Sequence, residues 1–170
     1  MKISLAVPED APAIARVHVR SWQIAYEGIL PAAYLATLTT EKREAMWRES
    51  ISRGSPQLLV ARDDDGIVGF VAFGTCRDEN AAADRAEVWA IYVAPSHWSQ
   101  GVGTQLCRQA RERLVEQGYC SVSLWVLTDN TRALRFYAGV GFVADAESTK
   151  EVIVGGNALK EIRYVAELHD

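Results

Sequence analysis

One mixed α/β (α+β) domain, with helices around a single and mostly antiparallel sheet, is the fold class that the 170-residue sequence predicts. The predicted elements follow the order strand, two helices, three strands, helix, strand, helix and two strands, so helices interrupt the strands only in places. About half of the residues (49%) are apolar, which at this length supplies one continuous core but not two. We therefore expect residues 1–170 to form a single domain of about seven strands and four helices.

The first third of the chain predicts one strand followed by two helical regions. Residues 2–6 have the pattern of a short strand, and apolar residues then recur at helical spacing over residues 12–26. The second helical region has a short piece near Leu35. Its longer piece covers residues 41–52, with Thr40 as the expected N-cap.

The remaining two thirds predict six strands and two helices. Residues 63–66, three aspartates and a glycine, suit a tight hairpin turn between two β-branched apolar runs. The elements are strands at 57–62 and 67–75, a fourth strand at 87–93, a helix at 103–117, a fifth strand at 121–127, a helix from Asn130 to about Val140, and two final strands at 143–154 and 159–168.

Composition and charge argue against several functional classes. The net charge of -4 is mild, without the basic stripe that neutralises nucleic-acid phosphates. No apolar run reaches the roughly 18 residues of a membrane helix, and the first residues do not read as an export signal. The three cysteines are odd in number and lack the spacing of metal ligands. We expect a cytoplasmic protein with no metal and with no nucleic acid or membrane as partner.

A glycine-containing segment after the fourth strand is the first candidate for a binding site. Gln100-Gly101-Val102-Gly103-Thr104 stands where a helix begins, and the first amides of a helix have no partner inside it. A turn that uses glycine only for its backbone freedom explains the segment equally well. Two phosphate motifs are excluded. A dinucleotide fingerprint needs a glycine where Leu106 stands, and a P-loop needs a lysine where Gly103 precedes Thr104.

The surroundings of this segment resemble those of a known family. The strand Ile91-Tyr92-Val93 precedes it, and a later segment reads Asn-x-x-Ala-x-x-Phe-Tyr-x-x-x-Gly-Phe over residues 130–142. With the loop, these patterns make the chain similar to the general-control-related N-acetyltransferases, the GNAT superfamily. The likeness in element order extends over nearly all of residues 1–170. It implies that the fourth and fifth strands splay apart and that the protein uses acetyl-coenzyme A.

The resemblance also implies where the coenzyme binds. The pantetheine arm is expected along the backbone of the fourth strand, one of whose amides polarises the thioester carbonyl. The expected contacts are Ile91, Tyr92, Val93, Trp98, Ser99, Gln100, Gly101, Val102, Gly103, Thr104, Asn130 and Tyr137. Trp98 stands where the family has Arg or Gln, so we expect backbone amides rather than this side chain to meet the pyrophosphate.

Two side chains are candidates for the proton transfers that accompany direct attack of an amine on the thioester. An alkyl amine, with a pKa near 10, is almost fully protonated at neutral pH and needs a base. Glu87 stands at the position of the family's glutamate base, roughly 13 Å before Ile91, so it is expected to act through water. Residues 87, 89, 91 and 93 are expected on one strand face. Tyr137 stands at the family's general-acid position, with core packing as the alternative role.

The acceptor is left open by the sequence. Trp22 and Tyr26 share a helical stripe, His18 lies one turn earlier and Tyr34 follows the break, so they are candidates for an aromatic wall that binds a cation. Core packing is the alternative for at least two of them. The acceptor is a small-molecule amine or, alternatively, a protein N-terminus or lysine. A non-catalytic sensor that only binds acyl-coenzyme A is a further alternative, and a homodimer is left open.

Overall fold

Seven strands form one sheet, in the order β1-β2-β3-β4-β5-β7-β6, in the computed structural model, which describes residues 1–169. The strands are β1 (Lys2–Leu5), β2 (Gln57–Asp63), β3 (Gly66–Thr75), β4 (Arg85–Val93), β5 (Ser121–Leu127), β6 (Val143–Val154) and β7 (Asn157–Glu167). Neighbouring strands are antiparallel except β4 and β5, which are parallel. The predicted fold class and the number of strands are confirmed.

Five α-helices flank the sheet, one more than the sequence predicted. They are α1 (Ala11–Ala25), α2 (Ala32–Ala36), α3 (Thr40–Arg53), α4 (Val102–Glu116) and α5 (Thr131–Gly139). The extra helix arises because the second helical region divides into α2 and α3. Thr40, the expected N-cap, is the first residue of α3, and the N-cap is Thr39, whose backbone is extended (φ -118°, ψ 145°). Over residues 1–169, the helices are too short or too polar to cross a membrane.

Alternation along the central strands divides the core into two layers. On one face of the sheet, Leu59 and Phe73 pack with a cluster that includes the buried residues of α4. On the other face, Val60 and Phe70 pack with a cluster that includes Ile14 of α1 and Trp47 of α3. Successive side chains of a strand point to opposite faces, so both layers follow from the apolar runs of β2 and β3.

A β-bulge at Trp89 interrupts the alternation of β4. Ala90 pairs with Ala72 and Val88 pairs with Phe73, so Trp89 has no partner on β3. Val88 and Ile91 therefore pack in the α4 layer, whereas Trp89 and Ala90 pack in the α1 layer. The expectation that residues 87, 89, 91 and 93 share one face is wrong, because the extra residue shifts the alternation by one position.

His18 of α1 is a buried and neutral histidine in the second layer. Its Nδ1 accepts a hydrogen bond from Nε1 of Trp47 at 3.0 Å, and its ring stacks on Tyr92 with centroids 5.0 Å apart. Burial, helped by the charge of Arg43, lowers the pKa of His18 to about 3. The side chain is therefore uncharged at neutral pH.

We expect this histidine to make the fold sensitive to acid. The folded pKa lies below the ordinary value of about 6.5, so the free energy of unfolding is retained above pH 6.5 and falls as the pH drops towards 3. One proton contributes a slope of at most about 1.4 kcal/mol per pH unit. His18→Gln keeps an acceptor for Trp47 and does not titrate, so urea unfolding between pH 7 and 5 should show a shallower slope. His169→Gln, at an exposed position, is the control; equal slopes for His18→Gln and the native protein would contradict the assignment.

Candidate active site

A cleft of about 360 Å³ lies where β4 and β5 part. The two strands pair only over Arg85–Glu87 and Ser121–Ser123, and beyond these positions they diverge, as the resemblance implied. Eleven of the twelve expected coenzyme contacts line the cleft. The exception is Gln100, an exposed residue whose side chain donates to the carbonyl of Ser96 at 2.9 Å.

The edge of β4 presents backbone groups to this cleft. The amide of Ala94 donates to the carbonyl of Val68 at 2.8 Å, so Ala94, and by alternation Tyr92, bond towards β3. The backbone groups of Ile91 and Val93 then face the gap. Nε1 of Trp98 donates to the carbonyl of Val93 at 2.8 Å, which agrees with this direction. The strand therefore has unpaired donors on its cleft side, where the resemblance implies that the pantetheine arm binds.

The loop before α4 gives its two glycines different roles. Gly101 is the N-cap of α4 and has φ of +80°, a left-handed conformation that favours glycine. Gln105 makes the first helical hydrogen bond, to the carbonyl of Gly101 at 3.0 Å, so the amides of residues 102–104 precede the helical ladder. Gly103 serves packing, because a Cβ there would lie 3.1 Å from Cζ of Phe136. The loop thus combines free amides with close contact to α5.

Trp98 and Arg132 form a stacked pair at the mouth of the cleft. Cζ of Arg132 lies 3.2 Å from the centroid of the Trp98 ring, and both residues line the cleft. Nε1 of Trp98 already donates to the carbonyl of Val93. The group of this pair that carries a positive charge for a ligand is therefore the guanidinium of Arg132. Arg132 is not among the residues predicted for the site, although it follows the N-cap Asn130 by only two residues. The Asn130 cap is confirmed, since its side chain accepts from the amide of Ala133 at 3.2 Å.

Three phenols line the same cleft: Tyr26, Tyr92 and Tyr137. Burial raises the pKa of each above the ordinary value, and their proximity raises the pKa of Tyr92 and Tyr137 further. All three therefore stay protonated at neutral pH and act as hydrogen-bond donors. Tyr137 also packs against Phe142, with centroids 5.9 Å apart, so its core and cleft roles coexist.

Glu87 lies beside the cleft but does not line it. Its side chain is only 2% exposed. The carboxylate accepts hydrogen bonds from the Arg77 amide at 2.8 Å and from Nη2 of Arg77 at 2.5 Å, and Arg77 in turn lies 4.1 Å over the Trp89 ring. The base role stays a prediction, and the structure adds a condition. A water that relays a proton to Glu87 has to share the carboxylate with Arg77.

The expected aromatic wall is only partly on the cleft. Tyr26 lines it, whereas Trp22 lies behind Tyr26 in an edge-on contact with centroids 4.8 Å apart. Tyr34 contacts the turn between β6 and β7, because a Cβ on Gly155 would lie 2.6 Å from Cγ of Tyr34. A contact of these three residues with an acceptor stays a prediction.

Two tryptophans line the cleft near the point where β4 and β5 part. They were not among the residues predicted for the site. Trp89 and Trp125 each lie two residues beyond the last paired positions, Glu87 and Ser123. Nε1 of Trp125 donates to Oδ1 of Asp78 at 2.8 Å. Both tryptophans stand in predicted strands, but their exposure to a cleft follows from the bulge and the splay. Over residues 1–169, no group of three or more His, Cys, Asp or Glu side chains is placed to hold a metal ion.

Comparison with known proteins agrees with this geometry. Residues 19–142 match the model of the Acetyltransferase (GNAT) family. The chain belongs to the GNAT acetyltransferase family. The uncharacterized N-acetyltransferase YuaI of Bacillus subtilis is 36% identical over 155 residues, which are 91% of this chain and 86% of YuaI. This GNAT protein is therefore an acetyltransferase, as its sequence predicted.

Solved structures show the same fold. An N-acetyltransferase from Staphylococcus aureus Mu50 superposes with a TM-score of 0.78 at 21% identity, over 99% of this chain and 98% of that one. The PaiA N-acetyltransferase from Thermoplasma acidophilum, solved in complex with coenzyme A, gives a TM-score of 0.74 at 22% identity, over 98% and 99% of the two chains. At this identity the likeness concerns the fold, and the site is argued from the chain's own residues.

Proposed function

We propose that this GNAT protein transfers the acetyl group of acetyl-coenzyme A to a primary amine, which attacks the thioester carbonyl directly. The observation that carries the proposal is the gap between β4 and β5. There the backbone groups of Ile91 and Val93 face a cleft that reaches the free amides of α4. The coenzyme A complex of the PaiA enzyme, which has the same fold, supports the choice of coenzyme.

The residues of the cleft fit the coenzyme's charged part. The amides of residues 102–104 and the dipole of α4 favour an anion at the helix start. Arg132, which lines the same cleft and stacks on Trp98, adds a formal positive charge that Trp98 lacks. Gly101 leaves open space above these amides, since a Cβ there would meet no atom within 4 Å. The pyrophosphate is therefore proposed to bind amides first and Arg132 second.

The β4 edge and Tyr137 supply what the transfer needs at the thioester. As the amine nitrogen bonds to the carbonyl carbon, negative charge develops on the oxygen, and a preorganised amide of Ile91 or Val93 stabilises it by about 3 to 4 kcal/mol. The carbon–sulfur bond then breaks, and the departing thiolate takes a proton from a neutral donor. Tyr137 is proposed as this donor, because burial keeps its phenol protonated. The protonated amine loses one proton through water towards Glu87 before it attacks, and the second proton, which it loses as the amide forms, restores the Tyr137 phenol.

We take a small-molecule amine as the acceptor, with a protein N-terminus or lysine as the alternative. Membership of an acetyltransferase family favours the enzyme over a non-catalytic sensor. Cys76, Cys107 and Cys120 are free thiols, which suits the proposed cytoplasmic location.

Gly101→Ala should weaken coenzyme binding, because the new Cβ occupies the open space over the α4 amides. Gly118→Ala is the matched control: it has φ of +88°, open space around it and a place just past the other end of α4. Both substitutions should lower the free energy of unfolding by about 1 to 2 kcal/mol. Only Gly101→Ala should also raise the coenzyme A dissociation constant, by tenfold or more, in titration calorimetry. Equal affinities for the two variants would remove the loop from the proposed site.

Tyr137→Phe should lower kcat at least tenfold while the Kd for acetyl-coenzyme A changes less than threefold, because only the proton donor is lost. Tyr164→Phe is the control, since that ring lies 6.5 Å from Tyr137 but does not line the cleft. The raised pKa of Tyr137 also means that native kcat/KM should rise with pH and not decline below pH 10. An alkaline decline below pH 10 that disappears in Tyr137→Phe would contradict the assigned protonation state.

Glu87→Gln tests the base. If the amine has to lose its proton unaided, kcat/KM at pH 7 should fall about a hundredfold and the rising limb of the pH profile should move to higher pH. Glu116→Gln, at an exposed position at the end of α4, should match the native enzyme. Urea unfolding of both variants separates this effect from loss of the Arg77 contact. A lower stability with an unchanged pH profile would leave Glu87 with a structural role alone.

A further inference from the structure

The ammonium group of Lys150 lies against Trp125, a residue that lines the cleft. Nζ is 4.1 Å from the centroid of the Trp125 ring, which lines the cleft, and 3.8 Å from Oε2 of Glu161. The positions follow from the sheet, because Lys150 on β6 is the cross-strand partner of Glu161, and Glu161 on β7 is the partner of Leu127 on β5. An aromatic face and a carboxylate thus converge on one alkylammonium group.

This lysine is held more loosely than the arginines around it. Arg163 is 2.7 Å from Asp145 and 3.3 Å from Asp78, and Arg77 donates to Glu87 at 2.5 Å. The contact between Lys150 and Glu161 is longer than a hydrogen bond, at 3.8 Å. A compact ammonium on a flexible stem is also easier to displace than a guanidinium held by two carboxylates. Lys150 is therefore the cation of this group that another cation can replace.

A neighbouring cation stabilises the ionised carboxylate of Glu161. Its side chain is 21% exposed, and burial raises the pKa of its carboxyl group, whereas the charge of Lys150 lowers it. The charge of Glu161 acts on Tyr26 as well, which lines the cleft. A carboxylate in this position favours a positive charge close to the cleft.

We propose that the Trp125 ring and the Glu161 carboxylate form an ammonium site for the acceptor, which Lys150 fills while no acceptor is bound. The inference rests on the proposed function and extends it to the acceptor's chemical class. Both partners stabilise the charged form of an amine, so an amine held there stays protonated and does not attack the thioester. The bound ammonium is therefore not the reacting nitrogen. The acceptor then carries two amino groups on an aliphatic chain, one held at the ammonium site and one acetylated.

The experiment compares diamines with monoamines of equal length. We expect kcat/KM for 1,5-diaminopentane to exceed that for n-pentylamine at least tenfold. Glu161→Gln and Trp125→Leu should remove most of this preference through KM. Lys150→Met should lower KM for the diamine several-fold because the competing ammonium is gone, whereas Lys160→Met, on an exposed residue of β7, should not change it. Equal preference in the native enzyme and Glu161→Gln, or identical behaviour of the two lysine variants, would overturn the proposal and leave acetyl transfer intact.

A second measurement does not depend on turnover. The indole N–H resonance of Trp125, assigned with Trp125→Phe, should shift when the coenzyme A complex is titrated with 1,5-diaminopentane, and should shift much less in Glu161→Gln. n-Pentanol, which has no charge, is the control ligand. If no amine is acetylated but the shift occurs, acetyl transfer fails and the ammonium site stands. An unshifted resonance up to millimolar diamine would overturn the ammonium site.

Discussion

The parting of β4 and β5 beyond Glu87 and Ser123 is the constraint on which the rest of the site depends. With three paired positions, the far half of β4 has a hydrogen-bonded ladder on one side only. A buried N–H or C=O without a partner costs about 1 to 3 kcal/mol, so this edge is stable when water or an extended polar ligand lies along it. Trp98 covers one such group, the carbonyl of Val93, and leaves the rest of the edge to a ligand.

The splay also separates two electrostatic environments. Around α1 and α5, burial keeps the cleft's phenols protonated and His18 neutral, so this part presents neutral hydrogen-bond donors where we propose that the thioester binds. Near the point where the strands part, formal charges gather on the last hairpin and on the segment after β3. The bulge at Trp89 lies between these two environments. It lets Ile91 face α4 while Trp89 faces the opposite layer, where Arg77 covers its ring. In the proposed reaction, bond making and the selection of the acceptor's charge thus use different residues.

The sequence predicted the elements, and with the resemblance it led to a proposed coenzyme site, because both depend on local patterns. Strand alternation, the Asn130 cap and the turn at Gly101 are short-range signals, and the resemblance linked them. The charged residues of the last hairpin and of the segment after β3 have no such local signal. β7 inserts between β5 and β6, so Glu161 lies beside Leu127 and Arg163 beside Trp125, and a local pattern does not specify which of the last two strands takes that place. Arg77 was missed for a similar reason, since it meets Glu87 only through the pairing of β3 with β4.

The insertion of β7 has a consequence for how specificity is distributed along the chain. The residues proposed for the coenzyme lie between Ile91 and Tyr137, inside the part that matches the family model, which ends at residue 142. Lys150 and Glu161 lie beyond it, on the last two strands. Changes in this hairpin can alter the charge presented to an acceptor without moving the β4 edge, because β6 makes its strand contacts with β7 alone. Family membership therefore specifies the donor chemistry, whereas in our proposal the final hairpin of this chain supplies the charge that selects the acceptor.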